Sequence, residues 1–498
     1  MLTVQEIKQF IDNDAASAKK RLAKVGAAYY DCEHDIKDYR IFYFNKEGKL
    51  VEDKTRSNVK IPHPFFVELV DQAVQYILSG EKGFVRSDLP ELQAEMDAYF
   101  NENEDFKSEL SELLTGVQTK GFEYMSAYKN DDDKLSFKCA DSLGVVEVEA
   151  RFASDEKEHI IYYYTDRIDK DGKTIKKVMD WDDENVYLYK QTDNGEIEPD
   201  NSFKGKNVKP HLLYREEGKD EITYDGFGFV PFFRLDNNKK QHSSIRPIKP
   251  LIDDYDLHAS ALTNNLVDFD TPIYAVKGFE GDNLDELGVN LKSRKVLGLP
   301  EEGGIDVKTV DVPYQARKEK LELDEKNIYR FGMGLNTSGL KDTAATTNIA
   351  IKAMYSLLDL KCSKLEIRLK QFMQKIIKVV LEEINKEHNT DYQVKDVYFR
   401  FEHEIMSNEE ENARIKLTEA QARQVEITIL LNLAAQLDNE TLMQLICEQL
   451  DIDYEEIKSK LPDPDEAENA LTEAQAGLNG VVVEDEQAAE GSPAGIPG

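Results

Sequence analysis

Apolar residues recur along this chain with two periods. In the first quarter and again beyond about residue 246 they return every three or four residues, the spacing of one helix face. Between about Gly121 and Pro231 they alternate with polar residues, the spacing of a half-buried strand. Thr3 and Glu6 form a T-x-x-E capping box, and the pattern behind it predicts a helix to about Lys24. Asp38 to Phe44, rich in Tyr, Ile and Phe, reads as a strand. Pro62 and Pro64 open the apolar run FFVELVDQAVQYIL, a predicted helix that Gly80 closes. Two more helices fall near 89–101 and 104–118. In the alternating region, Phe122 to Tyr128, HIIYYYT, TIKKVMDW and NVYLYK read as strands, with polar turns such as NDDD and DKDG between them.

The second half returns to helical spacing. Arg246 to Asp268 predicts one helix, with Pro247 and Pro250 in its first turns. A small unit follows, from Phe269 to Asp311: a strand (PIYAVKG), a helical turn (DNLDELG) and a second strand (RKVLGLP). Pro313 starts a charged helix to about Phe331, in which Glu322 and Lys326 stand one turn apart and are expected to pair. The stretch GMGLNTSGLKDTAATTN, rich in Gly and Thr, predicts a loop. It leads into the strongest helix pattern, Asn348 to Lys386, with Ala350, Met354, Leu357, Leu365, Leu369, Phe372, Ile376 and Val380 expected inward. That helix would be on the order of 55 Å long. A strand (VYFRFEHE) follows. Ser407 and Glu410 form another capping box before a helix of about 25 residues, and shorter helices run to about Leu461. Beyond Pro462 the composition reduces to Asp, Glu, Ala, Gly and Pro, too polar to build a core, so a disordered tail is expected. The mixture predicts an α+β fold.

Composition sharpens this. A chain of 498 residues exceeds what one core organises, so two to four structural regions are expected. With 40% hydrophobic residues, 23 Tyr and 22 Phe, wholesale disorder is excluded. The net charge is −34, which argues against tight, static binding of duplex DNA, because phosphate neutralisation needs Lys and Arg. It is compatible with a duct whose wall must release DNA. Cys32, Cys139, Cys362 and Cys447 are far apart and form no CxxC, so free thiols are expected. MLTVQEIKQF lacks the pattern of a signal peptide, and no apolar run approaches a membrane span, so a soluble protein made in the cytoplasm is expected.

Motifs for chemistry fail on inspection. Gly172-Lys173-Thr174 would need a Gly at 167 to make a phosphate loop, and Arg167 stands there; a hairpin turn is expected. Gly332 and Gly334 lack the third Gly of a dinucleotide fingerprint, Thr337 occupying its place. His403-Glu404 lacks the second His of a zinc helix, which would fall at Ser407; His403 is expected on a strand. Asp169 and Asp171 resemble part of a calcium loop, but Arg167 occupies the first ligand position. The carboxylate clusters Asp131 to Asp133 and Asp182 to Glu184 lie in predicted turns and read as solvated charge rather than a metal site. The expectation is a protein that is not an enzyme, without catalytic residues, metal or cofactor.

Several segments resemble one family. Tyr29-Tyr30, His34 and Ile36, then Asn58-Val59-Lys60-Ile61-Pro62-His63 and LVDQAVQYILSG, are similar to the N-terminal signature of siphophage-type portal proteins of tailed double-stranded DNA bacteriophages. LIDDYDLHASALTNNLVDF resembles the family's first stem helix, and TNIAIKAMYSLLDLKCSKLE the segment after its channel loop. Where the family often has Gly, this chain has Cys32. The resemblance spans about residues 25 to 460.

It implies a ring of about twelve subunits at one capsid vertex of the virion, assembled in the host cytoplasm, through which DNA enters and leaves. Carried onto this chain, it gives a wing at 1–245, a stem helix at 246–268, a clip at 269–311, a second stem helix at 312–332 and a channel loop at 333–347. A long wing helix and strand take 348–406, a crown 407–461 and the acidic tail 462–498. The loop residues Asn336, Thr337, Ser338, Gly339, Lys341, Thr343, Thr346 and Thr347 are then the candidate DNA contacts, with Lys341 the candidate phosphate ligand. Lys318, Lys320, Lys326 and Arg330 are candidate channel contacts of the stem, with ion pairs between subunits as the alternative. Phe279, Asn283, Leu284, Leu287, Lys292 and Arg294 are candidate clip contacts to the terminase packaging ATPase and then a head-tail adaptor. Major capsid and scaffolding proteins complete the implied partners. Two rival readings are a ring adaptor or scaffold that never meets DNA, and a metal-dependent nuclease.

Overall fold

A computed structural model describes residues 2–450 apart from 278–303, 309–313, 338–347, 404–408, 433–438 and shorter stretches at 55, 81–82, 131–132, 150–156, 169, 194, 216–221 and 270–272. It is mixed α and β, 51% helical and 22% strand.

The Thr3–Glu6 capping box forms as expected and starts α1 (Val4–Ala15). The single helix expected to Lys24 is in fact two. Ser17 takes an extended backbone and accepts the Lys20 N–H, capping α2 (Ala18–Tyr30). The strand expected from Asp38 shrinks to β1 (Phe42–Phe44), because Asp35–Asp38 coil into a 3-10 turn; it pairs with β2 (Leu50–Glu52). Next come α3 (Phe65–Leu78), β3 (Val85–Ser87), α4 (Pro90–Met96) and α5 (Glu104–Lys120). Gly80 is not left-handed at the end of α3; Ser79 is the cap, and Gly80 gives the room for the Glu402 carbonyl, 2.9 Å from where a Cβ would stand.

The alternating region forms antiparallel sheets as its pattern predicts. β4 (Phe122–Lys129) and β5 (Leu135–Ala140) precede β6 (Val145–Glu149), β7 (Lys157–Ile168), β8 (Thr174–Trp181), β9 (Asn185–Thr192), β10 (Ile197–Pro199) and β11 (Val208–Pro210). β6 to β10 pair in sequence order, and β11 also pairs with β9. β12 (Leu212–Arg215) and β13 (Ile222–Asp225) form a hairpin, and β14 (Phe232–Asp236) joins β4 and β5. Gly172 turns β7 into β8 at a φ of +77°, so Gly172-Lys173-Thr174 is a hairpin turn and no phosphate loop.

α6 (Lys249–Phe269) starts later than Arg246, after turns that bond Arg246 and Ile248 back to Ser243 and Ile245. β15 (Ile273–Lys277) pairs antiparallel with β16 (Gly304–Lys308), a strand the sequence did not single out. The expected strand RKVLGLP and helical turn DNLDELG lie outside the described residues. α7 (Tyr314–Gly332) precedes the predicted loop, and α8 (Asn348–His388) runs for 41 residues, about 61 Å. Leu365, Leu369, Phe372, Ile376 and Val380 are buried as expected, but Leu357 is exposed, and Leu358 takes the inward position. β17 (Val397–Phe399) pairs with β3, shorter than the expected strand.

The chain divides into two compact units, Met1–Ala344 with Lys352–Ile405, and Ala345–Ile351 with Met406–Gly498. In the first, α8 is the spine of a core shared with α3, α5, α6 and α7. α1 lays Ile7 on the large sheet against Val146, Ile161, Val178 and Tyr189. In the second, α9 (Glu409–Asn432) and α10 (Asn439–Leu450) pack together with Leu442 and Cys447 buried. The Ser407 capping box and the tail lie outside the described residues.

Candidate functional site

α6 and α7 are neighbours, joined by charge as well as packing. Lys320 bonds both Asp254 on α6 and Asp324 on its own helix, and Asp324 is buried. The Lys320 ammonium holds the Asp254 carboxyl below its ordinary range. Lys320 is therefore tied within its own chain rather than a free cation. Lys318, Lys326 and Arg330 lie on the exposed side of α7. The expected Glu322–Lys326 pair is not formed; Glu322 lies 3.7 Å from Lys318, one turn back, the direction in which helical side chains lean. Lys326 and Arg330 have no ion-pair partner among the described residues.

α7 ends in a Schellman cap. The Gly334 N–H donates to the Tyr329 carbonyl at 3.0 Å, and Met333 takes the left-handed conformation at φ +56°. The glycines around it serve closeness. A Cβ on Gly332 would stand 2.6 Å from Leu69 of α3, and one on Gly334 2.1 Å from the same side chain. This explains the G-x-G without any nucleotide. Gln72 of α3 then clamps the backbone of Leu335: the Leu335 N–H donates to Oε1 and Nε2 donates to the Leu335 carbonyl, both at 2.9 Å. Asn336 Nδ2 donates to Glu325 at 3.4 Å, and Thr337 is exposed. On the far side, Lys361 of α8 donates to the Leu69 carbonyl at 3.1 Å, and burial pushes its pKa down to about 8. The root of the predicted loop is thus fixed to α3. Ser338, Gly339, Lys341, Thr343, Thr346 and Thr347 lie outside the described residues, as do Phe279, Asn283, Leu284, Leu287, Lys292 and Arg294.

The segments that carried the resemblance meet in one place. Residues 57–63 run extended along α6, and α6 offers one polar side chain per turn. Ser57 N–H donates to Asp268 at 3.1 Å, Val59 N–H to Asn264 at 2.6 Å, Ile61 N–H to Ser260 at 3.1 Å and His63 N–H to Asp256 at 2.9 Å. Four helical residues rise about 6 Å and two extended residues about 6.6 Å, so every second N–H meets every fourth side chain. Pro62, without an N–H, falls between rungs. At the buried end Asp256 also takes His34 Nδ1 at 2.6 Å and His63 Nδ1 at 2.8 Å, and His34 stacks on Tyr29 at 4.4 Å. Burial opposes ionisation of Asp256, but the two imidazoles outweigh it and hold the carboxyl below its ordinary range. Sequence reading missed the ladder and Gln72. The available signal was a polar residue at every fourth position of α6.

No group of three or more His, Cys, Asp or Glu side chains among the described residues is arranged to hold a metal. The Asp182 carboxylate caps its own turn, accepting the N–H groups of Glu184 and Asn185. His403 lies beyond β17, not on a strand, 2.9 Å from Glu366 of α8. The four cysteines are free thiols. Among the described residues no helix is long and apolar enough to cross a membrane.

Two helices tied by charge, a loop root fixed to a third and a long spine behind them are the frame of this region, and comparison with known proteins gives the class of the protein. The profile described as "Phage portal protein, SPP1 Gp6-like" matches residues 9–466. The chain belongs to this family of phage portal proteins. It is 26% identical over 377 residues to the portal protein of Bacillus phage SPP1, covering 73% of this chain and 72% of that one. It is 24% identical over 429 residues to the portal protein of Clostridium phage phiCD119, covering 83% and 89%. Portals are structural proteins of the phage virion, built as oligomeric rings with the capsid and DNA, and that role applies here.

Proposed function

We propose that about twelve copies of this chain form the ring, with residues 333–347 as the loop that meets the passing duplex and Lys341 as its phosphate contact. The observation that supports this reading is the rooted start of the loop: Gln72 grips both backbone groups of Leu335, and the Gly- and Thr-rich chain leaves from that fixed point. A loop that must change shape against DNA needs a firm base and small residues, and Ser338, Gly339, Thr343, Thr346 and Thr347 supply the second. In this reading α6 and α7 line the stem, with Lys326 and Arg330 as secondary contacts. Residues 269–311 are the clip that meets the packaging ATPase and then the head-tail adaptor, through Phe279, Asn283, Leu284, Leu287, Lys292 and Arg294. Residues 1–245 with 348–406 form the wing, and 407–461 the crown.

The test is DNA packaging by particles carrying Lys341→Glu. A fall of about ten-fold in packaged genomes, with intact rings, is expected from reversing one phosphate-facing charge in every subunit. Packaging at the normal level overturns the contact. Cross-linking of loop residues to packaged DNA separates this reading from an adaptor that never touches it.

A further inference from the structure

The β1–β2 hairpin is apolar on both faces and covered on neither. Phe42, Tyr43 and Phe44 are 52%, 49% and 73% exposed, and Leu50 opposite Phe44 is 60% exposed. A lone two-stranded hairpin is marginal in water, and clustered exposed aromatics mark an interaction surface. The surface continues onto its surroundings. Ile41 shares a cleft with Asn265 and Asp268 at the end of α6, where Leu266 and Val267 are exposed beside them. Val59 and Ile61, on the extended segment, are exposed as well. The hairpin itself, with Lys46 and Lys49 against Glu47 and Glu52, carries no net charge. Between Lys37 and Lys60 cations outnumber carboxylates, although the net charge is −34.

We infer that this hairpin docks on a second copy of the chain and forms one half of the contact that closes the ring. A cyclic ring joins two different patches of the same protein, so each subunit needs one surface complementary to another of its own. An exposed aromatic projection without the net negative charge of the rest of the chain meets that requirement. Duplex DNA fits less well. Its bases are paired and offer no faces for stacking, so Phe42, Phe44 and Leu50 would stay wet against it.

The inference rests on the ring reading, and the experiment separates the two. Rings are taken from phage particles, with wild-type chain and with a photo-cross-linking amino acid at position 44. Purified Phe42→Asp/Phe44→Asp chain is compared with wild type by light scattering and thermal melting. The expected result is a covalent dimer of the chain from position 44. The double variant should associate at least about ten-fold more weakly, with unchanged melting of the monomer because both side chains are already exposed. A variant that assembles like wild type, or cross-links confined to DNA or capsid protein, overturns the inference. A wild-type chain that is monomeric in the particle counts against the ring itself.

Discussion

Cys32 occupies the left-handed position of the cap that ends α2, at φ +57°, with Glu33 N–H bonded to the Ala28 carbonyl and Cys32 N–H to that of Tyr29. This is a backbone conformation that favours Gly, and the chain holds it with Cys. An L-residue there costs about 1 kcal/mol, partly offset by the extra freedom glycine has when unfolded. Cys32→Gly is expected to hold or raise the melting temperature, and Cys32→Val to lower stability by about 1–2 kcal/mol, as a pair of thermal melts will read. His403 makes a second statement at this scale. Its ion pair with Glu366 raises its pKa, outweighing partial burial. The pair therefore stabilises fully below the unfolded imidazole value of about 6.5 and is lost as the pH rises through the higher folded value. His403→Gln should cost about 1–2 kcal/mol at mildly acid pH and progressively less toward alkaline pH. A gap that does not shrink with pH would show that the charge plays no part.

At the scale of elements, the ladder between α6 and residues 57–63 replaces a partner strand with side chains. The Ile61 N–H is half-buried and depends on Ser260. Ser260→Ala should cost about 1 kcal/mol and speed hydrogen exchange at Ile61 while leaving the centre of α8 protected. Unchanged exchange at Ile61 would mean the rung carries no weight. Ladders of this kind explain what the sequence concealed. Helices with an apolar face, such as α3 and α8, announce themselves through period and caps, and so do the strands β7 to β9. The break between α1 and α2 does not, because Ala15 and Ala16 suit a helix and only the Ser17 cap interrupts it. The ladder leaves no apolar period, since its bonds join side chains to backbone. The grip of Gln72 on Leu335 joins residues 263 positions apart, which no local pattern records. Lys320 shows the same limit: four cations on one helix look alike in sequence, and only the approach of α6 separates the tied one from Lys326 and Arg330.

For the whole molecule, the acidity and the proposed path of DNA belong together. With 97 acidic and 63 basic residues, the chain repels phosphate at long range. A few cations placed where DNA passes then give brief contacts rather than a lasting grip, which is why reversing Lys341 alone should register across a ring. In the proposed reading the packaging ATPase, a separate subunit, supplies the energy to move DNA, and Gly172-Lys173-Thr174 takes no part because it is a hairpin turn. In the proposed ring α6 lines the stem, and the ladder sets a rule for how it can move. Its rungs stand at 256, 260, 264 and 268. Shifted one rung toward the start of α6, it would offer Ile252, which has no acceptor; shifted the other way, it would need position 272, past the end of the helix at Phe269. Only one register fills all four rungs. The ladder therefore acts as a key cut for a single position: α6 and the segment beside it move as one piece, or the bonds break together.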